Sequence, residues 1–128
     1  MSQTVPSKST LWIGRVLSAI PVLLMGGLGL YALLIKPEMT AGMHDQYGYP
    51  TNSIKPVLIA EITCTILYAI PQTSVLGAVL LTGYLGGAVA THVRAGEPFW
   101  FPLVMGVIVW LGLFLRDERV RTLMPIRL

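Results

Sequence analysis

Charged residues are what this chain has least of. Lys, Arg, Asp and Glu make up 12% of its 128 residues, against roughly 25% in an ordinary soluble domain. With 54% of the residues hydrophobic, a water-soluble fold could not cover its own surface. Cysteine is nearly absent too. Cys64 stands alone, which excludes an intrachain disulfide, and its apolar surroundings give it the role of a small packing residue. No glycine-rich phosphate loop, Ser-His-Asp arrangement or haem-type Cys-x-x-Cys-His is present. His-x-x-x-His and Cys-x-x-Cys spacings are also missing, so no metal site is expected. The net charge of +3 does not point to nucleic acid, because the basic residues sit at the ends of apolar runs.

Those runs are what is there. A membrane-spanning helix needs about 20 predominantly apolar residues to cross roughly 30 Å of hydrocarbon, and four stretches qualify. The first, Leu11–Ile35, holds Pro21, Gly26, Gly27 and Gly29 and stops at Lys36-Pro37. It is too long for a secretory signal core of about 7–15 residues, and is read as a retained helix. The second is expected over 53–70, capped by Asn52 or Ser53 with Pro56 in its first turn. The three-residue link Pro71-Gln72-Thr73 makes the third helix, 74–93, its antiparallel neighbour. The fourth covers 99–115, with Phe99 and Trp100 as interfacial aromatics. The basic tail Arg116–Leu128 is expected along the surface. The fold class is therefore all-α integral membrane, one domain of four transmembrane helices in a compact antiparallel bundle.

Lys and Arg counts orient it. Lys8, Arg15, Arg116, Arg119, Arg121 and Arg127 fall on one side, and Lys36, Lys55 and Arg94 on the other. Positive residues favour the cytoplasm, so both termini are expected there and the loops 36–55 and 94–98 outside. Arg15 is expected to extend to the cytoplasmic headgroups. In the third helix Gly83 and Gly87 form a small-xxx-small pair, a candidate close-contact face between helices or between copies of the chain.

Glu61 carries the most chemical information. An ionisable group within an apolar helix is costly and usually faces the protein interior or a functional cavity. It lies about 7–12 Å below the outer end of its helix by the helical rise, with Thr65 and Tyr68 on the same face. The third helix brings Thr91, His92 and Arg94 to the same side, where His44 and Asp45 of the long loop could close over them. Glu61, His92 and Arg94 are the catalytic candidates; Tyr68, Tyr84 and Thr91 are candidate ligand contacts. The plainer alternatives stand beside this. Glu61 could tie to Arg94 or His92 as a structural pair, His92 and Arg94 could be interfacial anchors, and the tyrosines and threonine could be helix contacts. His44, His92 and Glu61 together are a weak metal set.

These residues resemble a known family. Glu61, the string Leu81-Thr82-Gly83-Tyr84-Leu85-Gly86-Gly87-Ala88, the ending Thr91-His92-Val93-Arg94, the Gly48-Tyr49-Pro50 turn, Pro71 to Ala78 and Trp110 to Asp117 look like the DoxX-like family of small bacterial membrane proteins, over about residues 11–125. The resemblance implies a multi-pass protein of the bacterial inner membrane. It also implies a small subunit of an oxidoreductase-type, quinone-linked system, with a polar pocket near the outer face and a lipid-soluble quinone as candidate cofactor. Its partners would be the bilayer, a small hydrophobic ligand and a redox subunit or further copies of itself. Two alternatives remain: a membrane-embedded enzyme using Glu61 as acid or base on a hydrophobic substrate, and a non-catalytic binding or assembly module.

Overall fold

The computed structural model describes residues 7–124. All regular structure among them is helical. Helix α1, Lys8–Leu34, is capped by Ser7, whose hydroxyl accepts from the Thr10 backbone N–H. Pro21 cannot supply the N–H that would bind a carbonyl one turn back, and the chain passes directly into a wide π-helical turn, Val22–Gly27, before α-helix resumes at Leu28. A 3₁₀ turn, Pro37–Thr40, and the short helix α2, Ala41–Asp45, follow. Then come α3, Thr51–Ala69, α4, Ser74–Arg94, α5, Trp100–Arg116, and the short α6, Glu118–Leu123.

Several boundaries differ from expectation. Helix α3 begins at Thr51 after Pro50, so Asn52 and Ser53 lie inside it rather than capping it. The Ser53 hydroxyl donates back to the Pro50 carbonyl at 2.8 Å, and Pro56 falls in the second turn rather than the first. The 36–50 segment is not a plain loop, because residues 37–45 are helical. In its described part the tail is helical rather than extended. Helix α6 folds back and buries Val120. Arg127 lies outside the described residues.

Two helices are long and apolar enough to cross a membrane, α1 and α4. Only 28% and 33% of their apolar windows are buried within the protein, whereas the core helix of a soluble protein would be largely covered. Helix α5 is apolar over 17 residues, about 26 Å at the helical rise. Helix α3 carries Lys55 and Glu61. Large apolar side chains such as Leu23, Leu34, Trp100, Phe101 and Val107 point outward, a surface suited to lipid.

Close packing is built on particular glycines. A Cβ at Gly14 would stand 2.7 Å from the Arg116 backbone nitrogen, and one at Gly112 would stand 2.7 Å from the Ser18 hydroxyl. The first half of α1 and α5 therefore meet backbone to backbone. Beyond the π turn α1 leans on α3, with Gly26 against Thr65 and Gly29 against the Glu61 carboxyl. Gly77 of α4 lies directly on the Tyr68 backbone and closes the α3–α4 hairpin. Gly83 and Gly87, by contrast, face open space. The expected small-residue contact is thus not a contact within this chain, and Gly14, Gly77 and Gly112 perform that function instead. The core of Tyr68, Leu81, Val109 and Leu113 lies toward the end that holds the 70–73 link and α6.

Candidate functional site

At the other end the bare face of Gly83 and Gly87 forms one wall of a cavity of about 380 Å³, within the usual range of small-ligand sites. The rest is supplied by Tyr84, Ala88, Thr91 and His92 of α4, by Val57 of α3, and by Met43, Tyr47 and Tyr49 of the connecting segment. That segment is folded over the helix ends by named bonds. Gly48 turns the chain with φ +73°, a left-handed conformation that suits glycine. His44 Nδ1 lies 2.9 Å from the Tyr49 carbonyl, which can only accept. Arg94 donates to the Tyr47 carbonyl at 3.0 Å.

The polar atoms form three short chains. The Tyr84 hydroxyl donates to Glu61 Oε2 at 2.9 Å. Thr91 donates to the Gly87 carbonyl at 2.9 Å and its oxygen accepts from the Tyr49 hydroxyl at 2.6 Å. The Tyr47 hydroxyl donates to Glu97 Oε2 at 2.7 Å and lies 3.4 Å from His92 Nε2. His92 Nδ1 sits 2.7 Å from the Ala88 carbonyl. A carbonyl only accepts, so Nδ1 carries the proton, and Nε2 of the neutral ring is left with a lone pair. Hydrogen bonding to Glu97, with burial second, holds the Tyr47 phenol above its ordinary value of 10.0.

This arrangement has a chemical sign. With Glu61 ionised, the hydrogens of Tyr47, Tyr49, Tyr84 and His92 Nδ1 are all committed. The cavity then offers acceptors: phenolic oxygens and His92 Nε2. With a proton on Glu61, its O–H can donate to Tyr84, and the Tyr84 hydrogen is released toward the cavity. Glu61 does not itself line the cavity and reaches it only through Tyr84.

The sequence candidates separate on this geometry. Tyr84, Thr91 and His92 line the cavity, and Glu61 reaches it through Tyr84. Glu61 forms no ion pair with His92 or Arg94; among the described residues the only salt bridge joins Arg119 to Asp117 at 2.7 Å. The expected structural tie is therefore replaced by a hydrogen bond to a phenol. Arg94 is exposed and anchors the loop backbone instead of lining the cavity. Tyr68 does not line this cavity. It is fully buried at the opposite end of the chain's core, donating to the Val109 carbonyl at 2.7 Å and to Ser18 at 3.1 Å. No group of three His, Cys, Asp or Glu among the described residues is close enough to hold a metal ion.

Tyr47, Tyr49 and Glu97 were not singled out from the sequence. The distance of Tyr47 and Tyr49 from α4 in the chain hides their proximity to it, and the one available signal was three aromatic or histidine residues within 44–49. A larger cleft of about 700 Å³ runs between α4 and α5. It is less suited to chemistry, because its walls are apolar and its indole N–H, from Trp110, is already spent on Thr82 at 2.7 Å.

Comparison with known proteins agrees with the helical pattern. The model of the DoxX-like family matches residues 16–112, a stretch that takes in Glu61 and every residue lining the cavity. No curated protein and no solved structure matches the chain. With about three-quarters of its length matched and its apolar helices turned outward, this chain belongs to the DoxX-like family of membrane proteins.

Proposed function

We propose that the chain is a four-span protein of the bacterial inner membrane with cytoplasmic termini, serving as a small membrane subunit of an oxidoreductase-type system. Its cavity takes the head of a quinone-type ligand. In this reading α1, α3, α4 and α5 are the spans, and the 36–50 segment covers an opening near the outer face. The observation that carries the ligand assignment is the combination of a flat glycine wall at Gly83 and Gly87 with tyrosine oxygens and the His92 Nε2 lone pair around one cavity. A planar ring fits a wall without side chains. The committed hydrogens favour the hydroxylated, reduced form, whose O–H donates to His92 Nε2. Protonated His92 is then stabilised by the Tyr47 oxygen and Glu97 beyond it, which leads the proton outward. Protonation of Glu61 frees the Tyr84 O–H for a ligand carbonyl, which suits the oxidised form.

The test is calorimetric titration of the detergent-purified protein with a short-chain quinone and its reduced form. Saturable binding of one equivalent is expected. Loss of an ordinary hydrogen bond costs about 0.5–1.5 kcal/mol, so His92→Ala should weaken the reduced form by about threefold to tenfold. Glu61→Gln, which keeps a donor toward Tyr84, should shift preference toward the oxidised form. Absence of saturable binding by both forms in a folded preparation would overturn the ligand assignment.

A further inference from the structure

The end of the molecule opposite the cavity carries a second small cleft, about 180 Å³, lined by Arg15, Ser18, Ala19, Val22, Ala69 and Arg116. It has room for about six waters at ~30 Å³ each, enough for a phosphate group and too little for a folded partner. Two arginines line it, and no acidic residue does. The nearest acid in sequence, Asp117, is engaged by Arg119 and Ser74.

Both cations are held in place. Arg116 donates to the Tyr68 carbonyl at 2.7 Å and lies 4.8 Å from the Tyr68 ring centre. Arg15 is exposed and lies over the Trp12 ring at 5.3 Å. The Arg116 Nε is buried and has no hydrogen-bond partner among the described residues. Two arginines beside one cleft whose lining holds no acid suit an anion. The surface beside the cleft shows which anion. Trp12, Ile13 and Val16 are all more than half exposed on the same helix, an apolar flank with an aromatic of the interfacial type.

We propose that this cleft binds the phosphate of an anionic phospholipid between Arg15 and Arg116, with the lipid's acyl chain lying along the exposed face of α1. The site is independent of the cavity near His92 and of any redox role.

Native mass spectrometry of the detergent-solubilised protein, titrated with phosphatidylglycerol, phosphatidylcholine or inorganic phosphate, tests it. Both lipids carry the same phosphodiester, but choline adds a cation that Arg15 and Arg116 repel, so phosphatidylglycerol should bind about tenfold more tightly than phosphatidylcholine. Arg15→Gln should remove that preference without changing the melting temperature in lipid-free detergent, because Arg15 ties no backbone group. Arg119→Gln, at the same end but already paired, should leave the preference intact. Equal retention of the two lipids would overturn the proposal, as would equal loss in both variants, which marks general charge attraction. Inorganic phosphate binding as tightly as phosphatidylglycerol, with both lost in Arg15→Gln, would overturn the lipid assignment in favour of a free anion.

Discussion

The two ends of this molecule use the same residue types to opposite effect. At the end holding the 70–73 link, a tyrosine is sealed in the core and arginines bind helix-terminal carbonyls. Arg116 caps α3 at Tyr68, Arg119 reaches Pro71 at 2.8 Å, and Arg121 donates to Phe114 at 2.8 Å and Leu115 at 3.1 Å. Apart from Pro71, which lies in the link, these are groups a helix leaves unpaired at its C-terminus. At the far end three tyrosines surround space, Arg94 binds only a loop carbonyl, and glycines face nothing. The first end is closed by backbone contact, whereas the second is held by side-chain hydrogen bonds across a cavity. What separates them is whether glycine is met by a neighbouring backbone. Where it is, helices lock; where it is not, a site remains.

The sharpest way to break that contrast is to add bulk. Gly14→Leu drives a side chain into the Arg116 backbone nitrogen at 2.7 Å, and Gly112→Leu into Ser18, 2.7 Å from its hydroxyl and 2.9 Å from its backbone nitrogen; each should cost about 3 kcal/mol or more. Gly83→Leu and Gly87→Leu fill open space and should change stability by less than about 1 kcal/mol while abolishing ligand binding. Denaturant unfolding in detergent measures the first effect and calorimetry the second. Equal destabilisation at all four positions would erase the distinction between the ends. This ranking reverses the expectation from the GxxxG spacing alone.

Removing single hydroxyls gives a smaller effect in the same direction. Tyr68→Phe leaves the Val109 carbonyl without its buried donor and should lower stability by about 1–3 kcal/mol. Tyr49→Phe at the open end should cost about 1 kcal/mol or less, because water can replace the bond. Unfolding curves for the two variants compare them directly, and a Tyr49→Phe loss as large as that of Tyr68→Phe would mean that the cavity end is as closed as the core.

The smallest effects are set by pH, and the ends should respond at opposite extremes. Arg119, by hydrogen bonding, holds the Asp117 carboxyl below its ordinary 3.8. A depressed acid stabilises the fold above its unfolded value, and that contribution is lost as pH falls through the folded one. Amide exchange in α6 should therefore quicken below about pH 4, the usual aspartate range, while residues 36–50 stay protected. Tyr47 is shifted the other way by Glu97. Its contribution is complete below 10.0 and is lost as pH rises through the folded value, so residues 36–50 should loosen in strong alkali before α6 does. Simultaneous loosening of both segments at either extreme would show that one cooperative unit spans them.

Much of the architecture was legible in residue order. Four apolar runs, the prolines between them and the three-residue link at 71–73 placed the ends of the long helices to within three residues. The third-helix string and its Thr-His-x-Arg ending pointed to the family. Glu61 and His92 stood out because ionisable side chains are rare in such runs. Tyr68, seven residues after Glu61, shares its helical face, yet two turns of α3 separate them. That distance carries Tyr68 from the cavity into the core.

Sequence by itself determined the helical, lipid-facing character of this protein, its family and the presence of a carboxyl within an apolar helix, because hydropathy and helical period act locally along the chain. Tertiary structure alone decided which glycines are packed and which are bare, that Glu61 meets Tyr84 rather than a cation, and that residues 47 and 49 close over residues 91 and 92. Those outcomes depend on how the π turn of α1 and the fold-back of 36–50 aim one segment at another. No local pattern of residue types encodes that direction.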